Sequence, residues 1–399
     1  MSDSMPYAHL LLIVSGVGLG ALLTSRIANV VRVPAPLLML VAAAVTAQIF
    51  PATHHLERQT VDRLVVLALI FILFDGGAQI GWSKLKPMLS PILLVAVIGT
   101  FLTAAIAASL LVTVVGLQWY PALLIAAAVA PTDPAVVFSV LGHREVSGGT
   151  GTVLQGESGG NDPVGIALML GLLAAGAITS KSMLHVGREF LIEMVVGTVL
   201  GIVGGLAMNW FNRAVRLPGL GLYPVRSIAC VLLIFAATTL LHGSGFLAVF
   251  VAGILAAEAE APYKKRIGQF HLAAASLGEI VAFVVLGLTV RLGDLTHLRV
   301  WWPGLLLAVA LVLIRPIALL PCLIRSGLGR NERAFVMFAG LKGAVPILLG
   351  SYILETTVAD ASRLYGIVVV VVVFSVLVQG SLVPFAARRL SIEMSEPQH

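Results

Sequence analysis

The 399-residue sequence predicts an all-α polytopic membrane protein of about 13 transmembrane helices, built as two inverted six-helix repeats. The first observation is composition: 59% of the residues are hydrophobic and only 11% are charged, against roughly 25% charged in a soluble domain. A soluble core of this length could not bury so much apolar surface, so the bilayer must accept it. The second observation is the series of apolar segments, and the third is a pair of helix breaks.

A bilayer span needs about 20 consecutive apolar residues, and thirteen segments meet this criterion. They lie at about 7–25, 35–51, 61–79, 88–116, 119–142, 155–178, 187–212, 225–241, 244–259, 269–290, 299–324, 332–354 and 361–386. No linker between them is long enough to hold a soluble domain. Residues 1–390 are therefore predicted to form a single membrane domain, and residues 391–399 a short tail.

Lysine and arginine are unevenly divided between two sets of loops. Loops after odd-numbered spans hold sixteen of the 25 basic residues, and loops after even-numbered spans hold seven. Because cytoplasmic loops are enriched in basic residues, the N-terminus is predicted outside and the C-terminus in the cytoplasm. The net charge of +6 then reflects topology, and no nucleic-acid partner is predicted.

Helix breakers interrupt the fifth and twelfth spans, at Ala130-Pro131-Thr132-Asp133-Pro134 and at Lys342-Gly343-Ala344-Val345-Pro346. Proline removes a backbone donor, and freed backbone groups persist at membrane depth only where protein or a water-lined cavity satisfies them. The breaks are seven spans apart. Two six-span units, at about 7–178 and 225–386 with the seventh span between them, would therefore run in opposite directions. This pattern is typical of inverted-repeat transporters.

Charged residues inside spans are functional candidates, because each costs about 2.5–3.5 kcal/mol or more at the bilayer centre. The candidates are Asp133, Glu157, Asp162, Glu279, Arg315 and Lys342.

Broken helices expose carbonyl oxygens, which are ligands for Na+ or K+. Ser158 lies four residues before Asp162, so the two share one helix face. The Thr132 carbonyl, the Ser158 hydroxyl and the Asp162 carboxylate would make an oxygen cage beside Asp133. The alternative is that Asp133 and Ser158 only cap the half-helices.

A buried carboxylate can hold either a proton or a cation, and the two compete for the same oxygens. Such a site, exposed to one side of the membrane at a time, would exchange a monovalent cation for protons without a cofactor. One rival interpretation is a cation channel, which needs a continuous pore with weak serial sites. An intramembrane enzyme is disfavoured because no histidine joins the cluster, and no catalytic residue is predicted.

The other buried charges are expected to stabilise the crossing of the broken helices. Glu157 is predicted to pair with Lys342, unless Lys342 itself carries the transported proton. The Asn161 amide, which cannot titrate, could satisfy freed backbone. Glu279 and Arg315 are predicted to pair between spans ten and eleven, or to find separate partners.

At these residues the sequence resembles the NhaP/NHE-type monovalent cation:proton antiporters. The resemblance rests on Ala130–Pro134, on Gly156-Glu157-Ser158 followed by Asn161-Asp162-Pro163, and on Gly340–Pro346, in matching order and spacing. Phe74–Gly77 and Val378–Gly380 are most similar to the bacterial cell-volume-regulation branch, which is often assigned to potassium.

The resemblance implies a core domain and a dimerisation domain, a homodimer in the bacterial inner membrane, and elevator-like movement of the core. Asp162 would be the main cation and proton ligand, with the Thr132 carbonyl, the Ser158 hydroxyl and Asp133 as helpers. Asn161 would stabilise the crossing, and Glu157 would pair with the basic residue of span twelve. An Asn-Asp pair in this family implies electroneutral one-for-one exchange.

The sequence departs from the family pattern at Lys342, where the family usually has arginine. Lysine cannot form a bidentate fork and can lose its proton when buried, so an electrogenic exchanger with Lys342 as an additional proton carrier is the alternative. The chain also ends soon after Arg389. The regulatory region that follows the last helix in the volume-regulation branch is therefore expected to be absent.

Overall fold

A computed structural model gives the fold of the protein, and it describes residues 15–16, 18–24, 34–49, 58–141, 145–290, 292–293, 295 and 297–395. Most of the predicted first span and the end of the tail, residues 396–399, lie outside this description. Residues 15–16 and 18–24 are helical.

The regular secondary structure of the remaining described chain is helical apart from one short strand pair. The helices are α1 (Ala35–Ile49), α2 (Arg58–Ile80), α3 (Trp82–Val115), α4 (Trp119–Val129), α5 (Pro134–Leu141), α6 (Gly148–Ala175), α7 (Ser180–Ala214), α8 (Leu222–Leu240), α9 (Gly245–Ala256), α10 (Lys264–Thr289), α11 (Leu298–Leu323), α12 (Arg330–Phe338), α13 (Ala344–Ile353) and α14 (Ala361–Arg389). The strands are β1 (Glu145–Val146) and β2 (Met394–Ser395).

A helix, or a pair of helices, lies in each of the predicted spans from the second to the thirteenth. In the described residues, seven helices are long and apolar enough to cross a bilayer, and the bent pair α4–α5 would make eight. The helices α1, α9 and α13 are apolar but shorter. The all-helical membrane architecture is therefore confirmed, while the number thirteen stays a prediction.

Both predicted breaks interrupt their helices. The axes of α4 and α5 differ by 46°, with residues 130–133 outside the helices, and residues 339–343 separate α12 from α13. Pro134 begins α5, where a missing backbone donor does no harm. The Asp133 backbone N–H donates to the Leu341 carbonyl oxygen across 2.8 Å, so the two breaks meet.

In the described part of the chain, three turns of π-helix lie within the long helices. Two are in α3, at Leu94–Gly99 and Leu111–Val115, and one is in α14, at Ser375–Gln379. A π turn inserts an extra residue into a helix and is frequent at functional sites.

The helices around the breaks pack in two groups. The α6 helix packs against α3, α4 and α7, whereas α11 packs against α3, α12 and α14. The α10 helix lies instead against α1 and α2. Glycines allow close backbone approach between α2 and α9, since a Cβ on Gly77 or Gly253 would overlap the opposite helix.

The C-terminal tail returns to the loop between α5 and α6. The strand β2 pairs antiparallel with β1, and the Ser147 backbone N–H donates to the Glu393 carbonyl oxygen at 3.1 Å. The predicted tail is thus attached to the segment that leads directly into α6.

Candidate cation site at the crossing of the broken helices

The backbone freed at the first break receives hydrogen bonds from two directions. The Lys342 Nζ donates to the carbonyl oxygens of Ala130 and Pro131, at 3.0 Å each. The Thr132 N–H donates to Asn161 Oδ1 at 3.3 Å, and Asn161 Nδ2 donates back to Thr132 Oγ1 at 2.9 Å. Asn161 therefore binds freed backbone at the crossing, as its chemistry predicts.

The second break receives its partners from α11 and α14. The Arg315 guanidinium donates to the carbonyl oxygens of Met337 (3.0 Å) and Val336 (3.3 Å) at the end of α12. The Gln379 amide donates to the Phe338 carbonyl oxygen at 2.7 Å. The Lys342 N–H donates to Ser375 Oγ at 3.1 Å. These side chains meet the requirement that backbone polar groups at membrane depth be paired.

The predicted pairing of Glu157 with Lys342 is wrong. Arg315 Nη2 contacts both carboxylate oxygens of Glu157, at 2.7 and 2.9 Å. Lys342 has its carbonyl partners instead. The physical reason is that the Arg315 side chain reaches from α11 past the end of α12 to α6, packed so closely over Gly340 that a Cβ there would overlap the guanidinium.

The predicted pairing of Glu279 with Arg315 is wrong for the same reason. Glu279 lies on α10, which packs against α1 and α2, while Arg315 faces α12 and α6. Glu279 is half-buried and makes no hydrogen bond or ion pair with any residue that the structure describes. It is within electrostatic range of Asp133.

Asp133 serves as a cap, which was the alternative left open for it. Its Oδ1 accepts a hydrogen bond from the Ala135 N–H at the start of α5, at 2.9 Å. Its carboxylate also packs over Gly343, the residue before α13, and interacts with the Ala344 N–H. The side chain therefore lies at the N-termini of two half-helices, where the helix dipole favours a negative charge.

Asp162 has a different environment. Its side chain is buried on α6 within electrostatic range of Asp133 and Lys342, and its Oδ1 has no hydrogen-bond partner among the described residues. A buried carboxylate without a partner is costly unless it binds a proton or a cation.

Further oxygen ligands lie in the same two segments. Within the described chain, neither the Ser158 hydroxyl nor the Thr132 carbonyl oxygen takes part in a hydrogen bond. Pro163 lies inside α6, so the carbonyl oxygen of Gly159 loses its usual helical partner.

The donor set fits a hard cation. Carboxylate, carbonyl and hydroxyl oxygens suit alkali and other hard cations, whereas transition metals favour imidazole and thiolate ligands. The described residues contain no cluster of three or more His, Cys, Asp or Glu side chains that could hold a metal ion. The chemistry available at the crossing is therefore reversible binding of a proton or a cation by oxygen atoms.

Two residues at the crossing were not predicted from the sequence. Ser375 and Gln379 both bind the second break, and Gln379 entered the sequence analysis only as part of a family-like stretch. Polar side chains four residues apart in an otherwise apolar final span were the available signal.

The Arg315–Glu157 ion pair predicts that Glu157, and not Glu279, is needed for stability. Glu157→Gln would leave Arg315 buried without its counter-charge and should lower the free energy of unfolding by about 3–5 kcal/mol. The measurement is an SDS titration of the purified protein in detergent micelles.

Glu279→Gln is the matched control, because it removes the same charge from a side chain that contacts no basic residue in the described structure. Removing an unpaired, half-buried charge should not lower the free energy of unfolding. Equal losses in the two variants would contradict the Arg315–Glu157 assignment.

Comparison with known proteins gives the crossing its context. The sequence profile described as "Sodium/hydrogen exchanger, transmembrane" matches residues 18–389. The chain is 32% identical over 335 residues to the K(+)/H(+) antiporter NhaP of Alkalimonas amylolytica, covering 82% of this chain and 57% of that protein. It is 32% identical over 333 residues to K(+)/H(+) antiporter NhaP2 of Shewanella oneidensis, with the same coverage of each.

A solved structure shares the fold. The sodium proton antiporter MjNhaP1 from Methanocaldococcus jannaschii at pH 8 matches with a TM-score of 0.79 and 22% identity, covering 96% of this chain and 99% of that one. The chain spans 57% of the length of the curated NhaP relatives. Since the family profile covers nearly all of the sequence and these relatives exceed 30% identity, the chain belongs to the sodium/hydrogen exchanger family of transmembrane proteins.

Proposed function

We propose that this protein is a secondary transporter, and not an enzyme, that exchanges Na+ or K+ for protons across the membrane. The observation that carries the proposal is the buried Asp162 carboxylate, whose Oδ1 has no hydrogen-bond partner in the described chain. Protons and cations would compete for this carboxylate. Competition at one site that opens to each side in turn is sufficient for antiport, and no cofactor is required.

The ligand set that we propose is centred on Asp162. The Thr132 carbonyl and the Ser158 hydroxyl, both without partners in the described structure, would complete the oxygen cage. Asp133 would act directly through Oδ2 or through water, since its Oδ1 is used to cap α5. Asn161, Glu157, Arg315 and Lys342 would hold the ligands in place.

Charge balance supports one-for-one, electroneutral exchange. Three carboxylates, Asp133, Glu157 and Asp162, and two cations, Arg315 and Lys342, form the charged network of the crossing. Glu279, which lies on α10, makes no hydrogen bond or ion pair with any of them in the described structure and is not counted. When all five are ionised the network has a single negative charge. One bound proton or one monovalent cation neutralises it, and a buried site disfavours any other net charge.

The relatives are named for two different cations. The NhaP and NhaP2 relatives are called K(+)/H(+) antiporters, and MjNhaP1 is called a sodium proton antiporter. Oxygen cages for Na+ and K+ differ by small adjustments in distance and ligand number, so we propose a monovalent cation of either kind.

We further propose the architecture that the sequence predicts. Thirteen spans would form inverted repeats at about 7–178 and 225–386, joined by the seventh span, within one membrane domain at 1–390 and followed by a tail at 391–399. The N-terminus would lie outside and the C-terminus in the cytoplasm. A homodimer in the bacterial inner membrane would work by elevator-like movement of its core.

Replacing the central carboxylate should abolish exchange. Asp162→Asn keeps the volume of the side chain but removes its charge and its proton, so cation-driven proton movement should fall to the level of empty liposomes. The measurement is fluorescence of a pH-sensitive dye in proteoliposomes after Na+, K+ or Li+ is added in turn.

Glu193→Gln provides the matched control, because Glu193 is a partly buried acid on α7 whose charge interacts with Glu189 of the same helix. It should exchange at the wild-type rate. Wild-type rates in Asp162→Asn would remove that residue from the mechanism, and ion currents without proton movement would favour a channel.

The Lys342→Arg variant tests whether lysine carries a proton. Arginine keeps the positive charge but does not release a proton at accessible pH, so an electroneutral exchanger should retain activity. The rate should also be the same with and without an imposed membrane potential. Complete loss of exchange in Lys342→Arg, together with a potential-dependent wild-type rate, would favour Lys342 as an additional proton carrier.

A further inference from the structure

We propose that Ser375 and Gln379, on the π turn of α14, are positioning residues that fix Lys342 and thereby set the cation affinity of the site. The inference rests on the proposed exchange and deepens it. Neither residue is placed among the cation ligands, so both would act through Lys342.

The two side chains bridge the second break from one end to the other. Ser375 Oγ accepts from the Lys342 N–H at 3.1 Å and donates to Gln379 Oε1 at 3.0 Å. Gln379 Nε2 donates to the Phe338 carbonyl oxygen at 2.7 Å. The chain of hydrogen bonds therefore runs from the last residue of α12 to the residue whose ammonium group reaches the first break.

The local geometry of α14 coincides with these residues. The π turn spans Ser375–Gln379, and both side chains are buried, with 3% and 7% of their surface exposed. Because a π turn displaces one residue from the regular helical pattern, it changes which side chains face a neighbouring element. In α14 the π turn directs the Ser375 hydroxyl and the Gln379 amide toward the backbone of the second break.

Each break thus receives an amide side chain from the long helix that follows it. Asn161 on α6 binds Thr132 at the first break, and Gln379 on α14 binds Phe338 at the second. The difference is that α6 also holds Asp162, whereas α14 contributes no acid to the crossing. Ser375 and Gln379 are therefore suited to holding the backbone of the second break in position and not to binding the ion.

Lys342 connects Ser375 and Gln379 to the cation site. Its backbone is held by Ser375, and its Nζ holds the carbonyl groups of Ala130 and Pro131, which immediately precede Thr132. A shift of the Lys342 backbone would release those carbonyls and move the Thr132 carbonyl, a proposed ligand.

A small cavity beside these hydrogen bonds has room for water. It is lined in part by Thr103, Arg315, Lys342, Ser375 and Gln379. If the serine or glutamine lost its polar atoms, water in this cavity could take over the hydrogen bonds of Lys342 and Phe338 without fixing their positions.

The test compares four variants in proteoliposomes. Ser375→Ala and Gln379→Leu should each raise the half-saturating cation concentration about tenfold, as loss of outer-shell partners of an ion site does. The pH profile of exchange should shift as well, because cation and proton compete. Ser375→Thr, which keeps the hydroxyl, should remain close to wild type.

Ser381→Ala is the control on the same helix, since its exposed hydroxyl bonds only to the Leu377 carbonyl of its own helix in the described structure. It should match wild type. Wild-type half-saturation and pH profile in Ser375→Ala and Gln379→Leu would overturn the proposal. Equal impairment of Ser375→Thr and Ser375→Ala would overturn it too, because it would show a packing role.

A second readout does not depend on transport. The melting temperatures of Gln379→Leu, Lys342→Met and the double variant should be non-additive if Gln379 acts through Lys342. Additive shifts would overturn the positioning role. Absence of exchange in the wild type would instead defeat the proposed function, and the melting temperatures would still decide the positioning role.

Discussion

The structure depends on one constraint: two helices are broken inside a membrane-spanning core, and each freed backbone group needs a partner there. Lys342 and Asn161 supply partners at the first break, and Arg315, Ser375 and Gln379 supply them at the second. The direct hydrogen bond from Asp133 to Leu341 joins the two breaks. Five buried polar side chains are thus used to bind the backbone of the two breaks.

The same constraint explains why Asp162 differs from the other two acids at the crossing, Glu157 and Asp133. Glu157 is neutralised by Arg315, and Asp133 caps α5, so both acids have partners. In the described chain the Asp162 Oδ1 has none. A carboxylate in this condition binds whatever positive species can reach it, and the surrounding ligands decide which. We infer that the rigid crossing and the unpartnered Asp162 carboxylate are the two halves of an exchange site.

Sequence reasoning was successful where local chemistry decides and was wrong where packing decides. Proline and glycine located both breaks, because their effect on a helix involves neighbouring atoms. The partner of Arg315 depends on which helices are adjacent, and α11 packs away from α10, so the sequence could not exclude Glu279. Ser375 and Gln379 were missed because their four-residue spacing indicates a shared helix face but not the backbone that this face contacts.

The central claim is that a cation and a proton compete for Asp162, and proton release on cation binding tests it most directly. Calorimetric titration of Na+ or K+ into the purified protein, in two buffers of different ionisation enthalpy, counts the protons released. We expect about one proton per bound cation in the wild type, because ligands must deprotonate to bind a cation. The Asp162→Asn variant should release none. Cation binding by the wild type without proton release would contradict the account.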